Sequence, residues 1–358
     1  MRRNFTIQKK SALPTLSQVA RAAGVGTTTV SRVINGGDRV SAETLAKVKG
    51  VIQSLGYMPN HAARVLKGDR TKTIGLIVPS IADPFFSSCA EAAEATAQAN
   101  DSLLIVTATH NDWRNEIENV NVLASHRVDG LIIAAGHSRS RSMAQLLDRL
   151  GIPVVAIDRP ISGSKIASVV TNNFAASTLA VEHLIAHGRK HIACLTGESD
   201  LFTIRERIRG YSAAVQRAGF PIILETSVKN YDSALRALSR LLKSENPPDG
   251  LFTLKNSTTI YVFEVLQKLG IRVPDSMALL GFDDFELAST VRPPISVLQQ
   301  PVQDIGRAAA ELLFEQLLGK EVRPDAKRAS ARQIVLETRL ICRRSCGCAG
   351  ADSLEEVD

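Results

Sequence analysis

The chain has 358 residues, 44% of them hydrophobic and 4% aromatic, with a formal charge of +7, enough for two or three globular domains. No apolar run approaches the roughly 20 residues of a membrane-spanning helix. The basic opening MRRNFTIQKK is not followed by the apolar stretch of a signal peptide, so the expectation is a cytoplasmic protein with no membrane partner.

The charge is uneven. Residues 1–72 hold 13 Lys and Arg against 3 Asp and Glu, a charge of +10, leaving −3 for residues 73–358. A basic segment rich in Val, Leu and Ala at helical spacing points to a folded unit that meets a polyanion rather than to a basic tail.

TLSQVARAAGVG predicts a helix capped near Thr15, with Leu16, Val19, Ala20 and Ala23 on one face and a turn at Gly24. The following TTTVSRVINGG predicts a second helix with Val30, Val33 and Ile34 inward. Two helices of about eight residues around an A-G-V turn form a helix-turn-helix, whose second helix enters the DNA major groove by its N-terminal residues. That accounts for three threonines where helix propensity is poor: small hydroxyl side chains permit close approach, and their hydroxyls and methyls contact base edges and phosphates. Ser31 suits a phosphate, and Arg32 a guanine or a phosphate. A third helix is predicted after Ser41, with Leu45, Val48, Ile52 and Leu55 on one face. The segment from Pro59 to Gly68 predicts a short helix that needs a partner, DNA or a second copy, to form.

The stretch from Thr15 to Gly68, with V-S-R-V-I-N, V-S, L-G-Y-M-P-N and A-A-R-V-L in order, resembles the DNA-binding headpiece of the LacI/GalR family of bacterial regulators. The resemblance implies a dimer on a pseudo-palindromic double-stranded operator, with paired hinge helices in the minor groove and a leucine wedge, Leu66, beside Asn60 and Ala63. It also implies that Thr27, Thr28 and Arg32 read bases, and that Thr15, Ser17, Ser31, Asn35 and Tyr57 contact the DNA as well, mainly its backbone.

Beyond a polar linker, DRTKT, apolar strands are expected at 74–79, 102–109, 130–135, 153–158, 167–171, 191–196, 250–254 and 277–282, alternating with amphipathic helices. This pattern predicts two doubly wound parallel sheets covered on both faces, with ligands beyond the C-terminal ends of the strands. Catalytic signatures are missing: there is no P-loop, no G-x-G-x-x-G after a strand and no G-x-S-x-G at a strand end. Asp283 and Asp284 are adjacent and point opposite ways in an extended segment. The expectation is a non-enzyme without a cofactor. His183 and His187, four apart on a predicted helix, read as a solvated face. Cys342, Cys346 and Cys348 form C-x3-C-x-C, which lacks paired zinc-module spacing and reads as incidental thiols in a frayed tail, with no metal.

The family resemblance continues through IGLIVPSIADPFF, VDGLIIAA, IPVVAIDRP, VVTNNFAAS, RERIRGY, PPDGLFTLKN, ALLGFDD and PPISVLQQPVQDIG. It implies a periplasmic-binding-protein-like effector core of two subdomains crossed three times by the chain. The expected division is a helix-turn-helix domain at 1–58, hinge helix and linker at 59–73, a core at 74–345 and a tail at 346–358. Within the core, one subdomain is 74–170 plus 300–328 and the other 171–299 plus 329–345. Carried over by position, Arg207 grips a small sugar-like effector with its planar fork. Asn256 and Asp283 face it from the second subdomain, Phe85, Phe86 and Asp158 from the first. Tyr231 stacks on a sugar face, and Gln300 sits at a crossover near the cleft. Lys255 and Arg205 add positive charge near Arg207, which suits a sugar acid or sugar phosphate if they face the cleft. The tail has no leucine heptad, so a dimer rather than a tetramer is expected.

Overall fold

The computed structural model describes residues 14–34, 36, 40–57, 70–136, 140–197, 199–319 and 332–348. The chain divides into two compact units, Met1–Thr71 and Lys72–Asp358.

The first unit contains α1 (Leu16–Ala23), α2 (Thr27–Ile34) and α3 (Ala42–Leu55). Thr15 caps α1 in a reciprocal box: its hydroxyl accepts from the Gln18 amide, and the Gln18 side chain accepts from the Thr15 amide at 2.7 Å. Gly24 ends α1 with φ +65°, the left-handed conformation a glycine adopts without penalty. Val19, Ala23, Val30, Val33 and Val48 are buried together with Tyr57. Each helix brings one to three buried aliphatic side chains to this small core, and Tyr57 is its one aromatic member among the described residues.

The second unit is built on two six-stranded sheets. The first sheet contains β1 (Thr73–Val78), β2 (Leu103–Ala108), β3 (Gly130–Ile133), β4 (Val154–Ile157), β5 (Ala167–Thr171) and β11 (Gln333–Leu336), in the order β11-β5-β4-β3-β1-β2. It is covered by α4 (Pro84–Ala99), α5 (Trp113–Ser125), α6 (Ser140–Leu150) and α11 (Val302–Leu317). The second contains β6 (Ile192–Leu195), β7 (Ile223–Glu225), β8 (Gly250–Thr253), β9 (Ala278–Phe282), β10 (Ser296–Gln299) and β12 (Arg339–Ile341), in the order β12-β10-β9-β8-β6-β7. Its helices are α7 (Asn173–Ala186), α8 (Phe202–Arg217), α9 (Tyr231–Leu241) and α10 (Asn256–Lys268). The central strands are buried along their length, which is why they read as uninterrupted apolar runs. No helix among the described residues is long and apolar enough to cross a membrane.

Two expectations change here. Strand β11 pairs in parallel with β5, and Ile334 and Leu336 pack on the first sheet's core. Residues 332–336 therefore belong to the first subdomain rather than to the second, and the chain crosses for the third time at Glu337–Thr338. Because every parallel strand runs toward the crossing, the strand that leaves it runs the other way, and β12 is antiparallel to β10. The expected tail also starts inside the fold. Ser345 and Cys346 are fully buried; the Ser345 hydroxyl donates to the Leu279 carbonyl at 2.5 Å and accepts from the Ser296 amide at 2.8 Å. Cys346 joins the second subdomain's core.

Candidate functional sites

At the C-terminal ends of the second unit's strands, five side chains close a polar ring. Arg207, on α8, is 4% exposed. Its Nε donates to Asn173 Oδ1 at 2.7 Å, and its Nη1 donates to the Leu254 carbonyl at 2.7 Å. Asn173 Nδ2 donates to the Thr171 carbonyl and hydroxyl, both at 3.2 Å. The Thr171 hydroxyl donates to Gln300 Oε1 at 2.7 Å, and Gln300 Nε2 donates to Asp283 Oδ1 at 2.6 Å. Asp283 Oδ2 lies 3.6 Å from Arg207 Nη1 and closes the ring. The ring joins the chain crossings at 171–173 and 300 to the end of β9. Satisfied buried networks of this kind rigidify what they connect. Arg207 also stacks on Phe282, its Cζ 3.5 Å from the ring centroid.

Burial shapes the charges. It pushes the Asp283 carboxyl above its ordinary range, against the pull of Arg207 and Gln300. It lowers Arg207, against the opposing fields of Asp283 and Asp158. Desolvation outweighs attraction at both partners.

From the first subdomain, Asp158 follows β4 with φ +67° and pairs with Arg159, Oδ2 to Nε 3.2 Å. Arg159 is 3% exposed, and its Nε and Nη1 make no hydrogen bond among the described residues. Phe85 and Phe86 are buried edge to face, centroids 4.9 Å apart. Asp83, which caps α4 through the Phe85 amide, also reaches across: its carboxylate is 3.4 Å from Lys255 Nζ at the start of α10.

A cavity of about 730 Å³ opens beside the ring, lined by Phe85, Asn256, Asp283 and Gln300 among others, a size suited to a small ligand. Asn256 is 7% exposed, its Oδ1 accepting from the Ser257 amide. Asp284 lines the same cavity and takes a bidentate pair of bonds from Arg343 at 3.0 and 2.8 Å. Tyr231 stands apart from this group. It packs on the core formed by α9, α10 and their strands, with Lys268 Nζ 5.4 Å from its ring centroid, so the expected stacking role finds no partner among the ring residues.

In the first unit, Thr27, Thr28 and Arg32 are exposed along α2 and Ser31 is half-buried. Thr15 and Ser17 are exposed at the start of α1, with the Thr15 hydroxyl engaged in its cap. Tyr57 is 8% exposed and packs in the core. Asn35, Asn60, Ala63 and Leu66 lie outside the described residues.

Residues 15–60 match the family of bacterial regulatory proteins of the lacI type, and residues 71–343 match the periplasmic binding proteins and sugar binding domain of the LacI family. The chain belongs to the LacI family. It is 35% identical to the transcriptional regulator CelR of Thermobifida fusca over 93% of this chain and 98% of that one. It is 32% identical to the transcriptional repressor PurR of Vibrio parahaemolyticus over 86% and 93%. A structure of the Lac repressor dimer bound to operator and the anti-inducer ONPF superposes with a TM-score of 0.82 at 25% identity, covering 93% of this chain and 99% of that one. A CelR–cellobiose complex gives 0.67 at 30% identity over the same shares.

As in its LacI-family relatives, a helix-turn-helix unit accompanies a sugar-binding core of two parallel-sheet subdomains. Two residues of the site, Thr171 and Asn173, went unremarked as site residues in the sequence, whereas Asp83 and Arg159 stand at strand ends where a ligand was expected. The signal for the missed pair was the run of polar residues at the end of an apolar strand, in VVTNN. The expected extra positive charge near Arg207 also changes. Lys255 is paired with Asp83, and Arg205 is exposed, its Nη1 bonded to the Asp200 carbonyl.

Proposed function

We propose that the protein is a dimeric, cytoplasmic repressor that binds a pseudo-palindromic operator and is controlled by a neutral sugar in the core cleft. The observation that carries the effector class is the charge balance. Asp83, Asp158 and Asp283 stand against Arg159, Arg207 and Lys255, so these six groups among the described residues leave no excess cation for an acid or phosphate. Carboxylates that accept from hydroxyls, guanidinium groups that donate to them and the Phe85–Phe86 apolar wall suit a polyhydroxylated ligand. The complex of CelR with cellobiose supports a neutral saccharide.

On the DNA side, Thr27, Thr28 and Arg32 read base edges, while Thr15, Ser17, Ser31, Asn35 and Tyr57 position the unit on the backbone. Asn60, Ala63 and the Leu66 wedge act in the minor groove. An effector changes operator affinity only through its differential affinity for the two states of the core. The Lys255–Asp83 pair spans the two subdomains, so a change in their separation would make or break it.

The test is operator selection from a random duplex pool, followed by affinity measurements with and without neutral sugars, sugar acids and sugar phosphates. Selection of a two-fold-symmetric site whose affinity responds to a neutral sugar alone supports the reading. A response confined to acids or phosphates refutes the effector class, and selection of no sequence refutes the operator.

A further inference from the structure

Two clusters that look incidental in the sequence meet in space. His183 and His187 lie one turn apart on α7, their ring centroids 4.6 Å apart. The segment 342–348 packs against the same stretch of helix. His183 Nε2 is 3.2 Å from Cys346 Sγ, 3.5 Å from Cys348 Sγ and 3.9 Å from Cys342 Sγ. One imidazole nitrogen thus faces three sulfurs: the donor atoms of His183, Cys346 and Cys348 all lie within 4.8 Å of one another, and Cys342 stands at the edge of that set. All five cysteines of the chain are free thiols.

We propose that Cys342, Cys346, Cys348 and His183 form a tetrahedral zinc site that staples the C-terminal segment to α7. With Zn–S of about 2.3 Å and Zn–N of about 2.0–2.1 Å, the nitrogen–sulfur edges of such a tetrahedron measure roughly 3.6 Å. The three distances from His183 bracket that value. Three thiolates and one imidazole are a donor set that favours zinc over hard, oxygen-seeking cations.

The surroundings are organised for the same end. Gly347 takes φ +105°, which lets the chain turn between Cys346 and Cys348, and a side chain there would meet the His187 ring. The Ser296 hydroxyl donates to Cys346 Sγ at 3.0 Å, and His187 Nε2 lies 3.3 Å from Cys348 Sγ. Such outer contacts orient metal-binding sulfurs. Cys346 is fully buried, Cys348 and His183 are half-buried and Cys342 is exposed, so the site has a closed inner side and an entry for the ion. It is separate from the polar ring: His183 is ten residues along α7 from Asn173, about 15 Å of helix.

A structural zinc adds its binding energy to the folded state. It fixes a segment that otherwise leaves the sheet after only three residues of β12.

The full-length protein, reduced and stripped with a chelator, is titrated with cobalt(II) chloride and then with zinc chloride. The expected result is one cobalt per chain, with thiolate-to-metal charge-transfer bands and the strong visible bands of tetrahedral cobalt, both abolished by zinc. Zinc is expected to raise the melting temperature of the wild type but not of Cys348→Ser. Cys342→Ser, at an exposed position that leaves the fold intact by circular dichroism, is expected to lose the tetrahedral spectrum, as is His183→Gln. The proposal is overturned if reduced protein gives no thiolate–cobalt bands, or if the bands persist unchanged in Cys342→Ser, Cys348→Ser and His183→Gln. Cysteines recovered as a disulfide, in protein that takes up no cobalt after reduction, overturn it in favour of a redox pair.

Discussion

Arg207 and Asp283 face each other at 3.6 Å, yet each spends its best hydrogen bonds elsewhere, Arg207 on Asn173 and Leu254, Asp283 on Gln300. The pair is held by a ring of neutral groups rather than by its own contact. Under the proposed function, a cleft ligand engages Asp283, which lines the cavity, and Arg207 beside it. Arg207→Ala is expected to lower affinity for a cleft ligand by roughly tenfold to a hundredfold or more, since a hydrogen bond to a charged group contributes about 1.5–3 kcal/mol. Calorimetric titration with the sugar that raises the melting temperature checks this. Unchanged affinity would remove Arg207 from the ligand site.

The raised carboxyl of Asp283 gives a pH signature. Its folded pKa exceeds its unfolded one, so its contribution to stability is full below the unfolded value and is lost as pH rises through the folded value. Denaturant unfolding of Asp283→Asn and wild type across the acid range should show the variant gaining on the wild type as pH rises. The reverse trend would mean that Arg207 and Gln300 outweigh desolvation.

Lys255 and Asp83 link the two subdomains, with their side chains 38% and 15% exposed. An ion pair that open to solvent contributes about 0–1 kcal/mol to stability. Lys255→Ala is therefore expected to leave the melting temperature within a few degrees while changing the effector's influence on operator affinity. An intact effector response in this variant would show that the pair plays no part in closure.

On α2, Thr28→Ala and Arg32→Ala should each weaken specific operator binding by about 1–3 kcal/mol without unfolding the unit, because both side chains are exposed. Thr15→Ala acts by another route. It removes the α1 cap and should destabilise the first unit by about 1 kcal/mol. Anisotropy titrations on operator and thermal melts separate the two effects.

At Gly306 α11 packs closely on α4: a Cβ there would stand 2.1 Å from the Cys89 carbonyl oxygen. Gly306→Val should therefore cost several kcal/mol, read as a lowered denaturant midpoint. A near-neutral result would show that α11 and α4 can move apart.

The sequence by itself determined the parts whose signal is local. The eight strands anticipated from apolar runs are all present; seven are buried along nearly all their length, where strands covered on both faces need uninterrupted hydrophobic residues, while β2 is only half-buried at the sheet edge. The helix-turn-helix was legible in the A-G-V turn and the inward valines of α2. Four strands went unread: β7, β11 and β12 contain no buried residue and so give no apolar run, and β10 is a four-residue stretch ending in the exposed Gln299. β11 joined the first sheet only because the folded chain returns beside β5.

The tertiary structure decided what depends on distance in sequence. Thr171, Asn173, Arg207, Asp283 and Gln300 close one ring although up to 129 residues separate hydrogen-bonded neighbours. Two helical histidines and three C-terminal cysteines, each unremarkable in its own stretch, converge across about 160 residues of chain. Periodicity reports which face of an element is buried. It carries no information about which distant side chains are brought to that face, because that depends on the order in which strands and crossings pack.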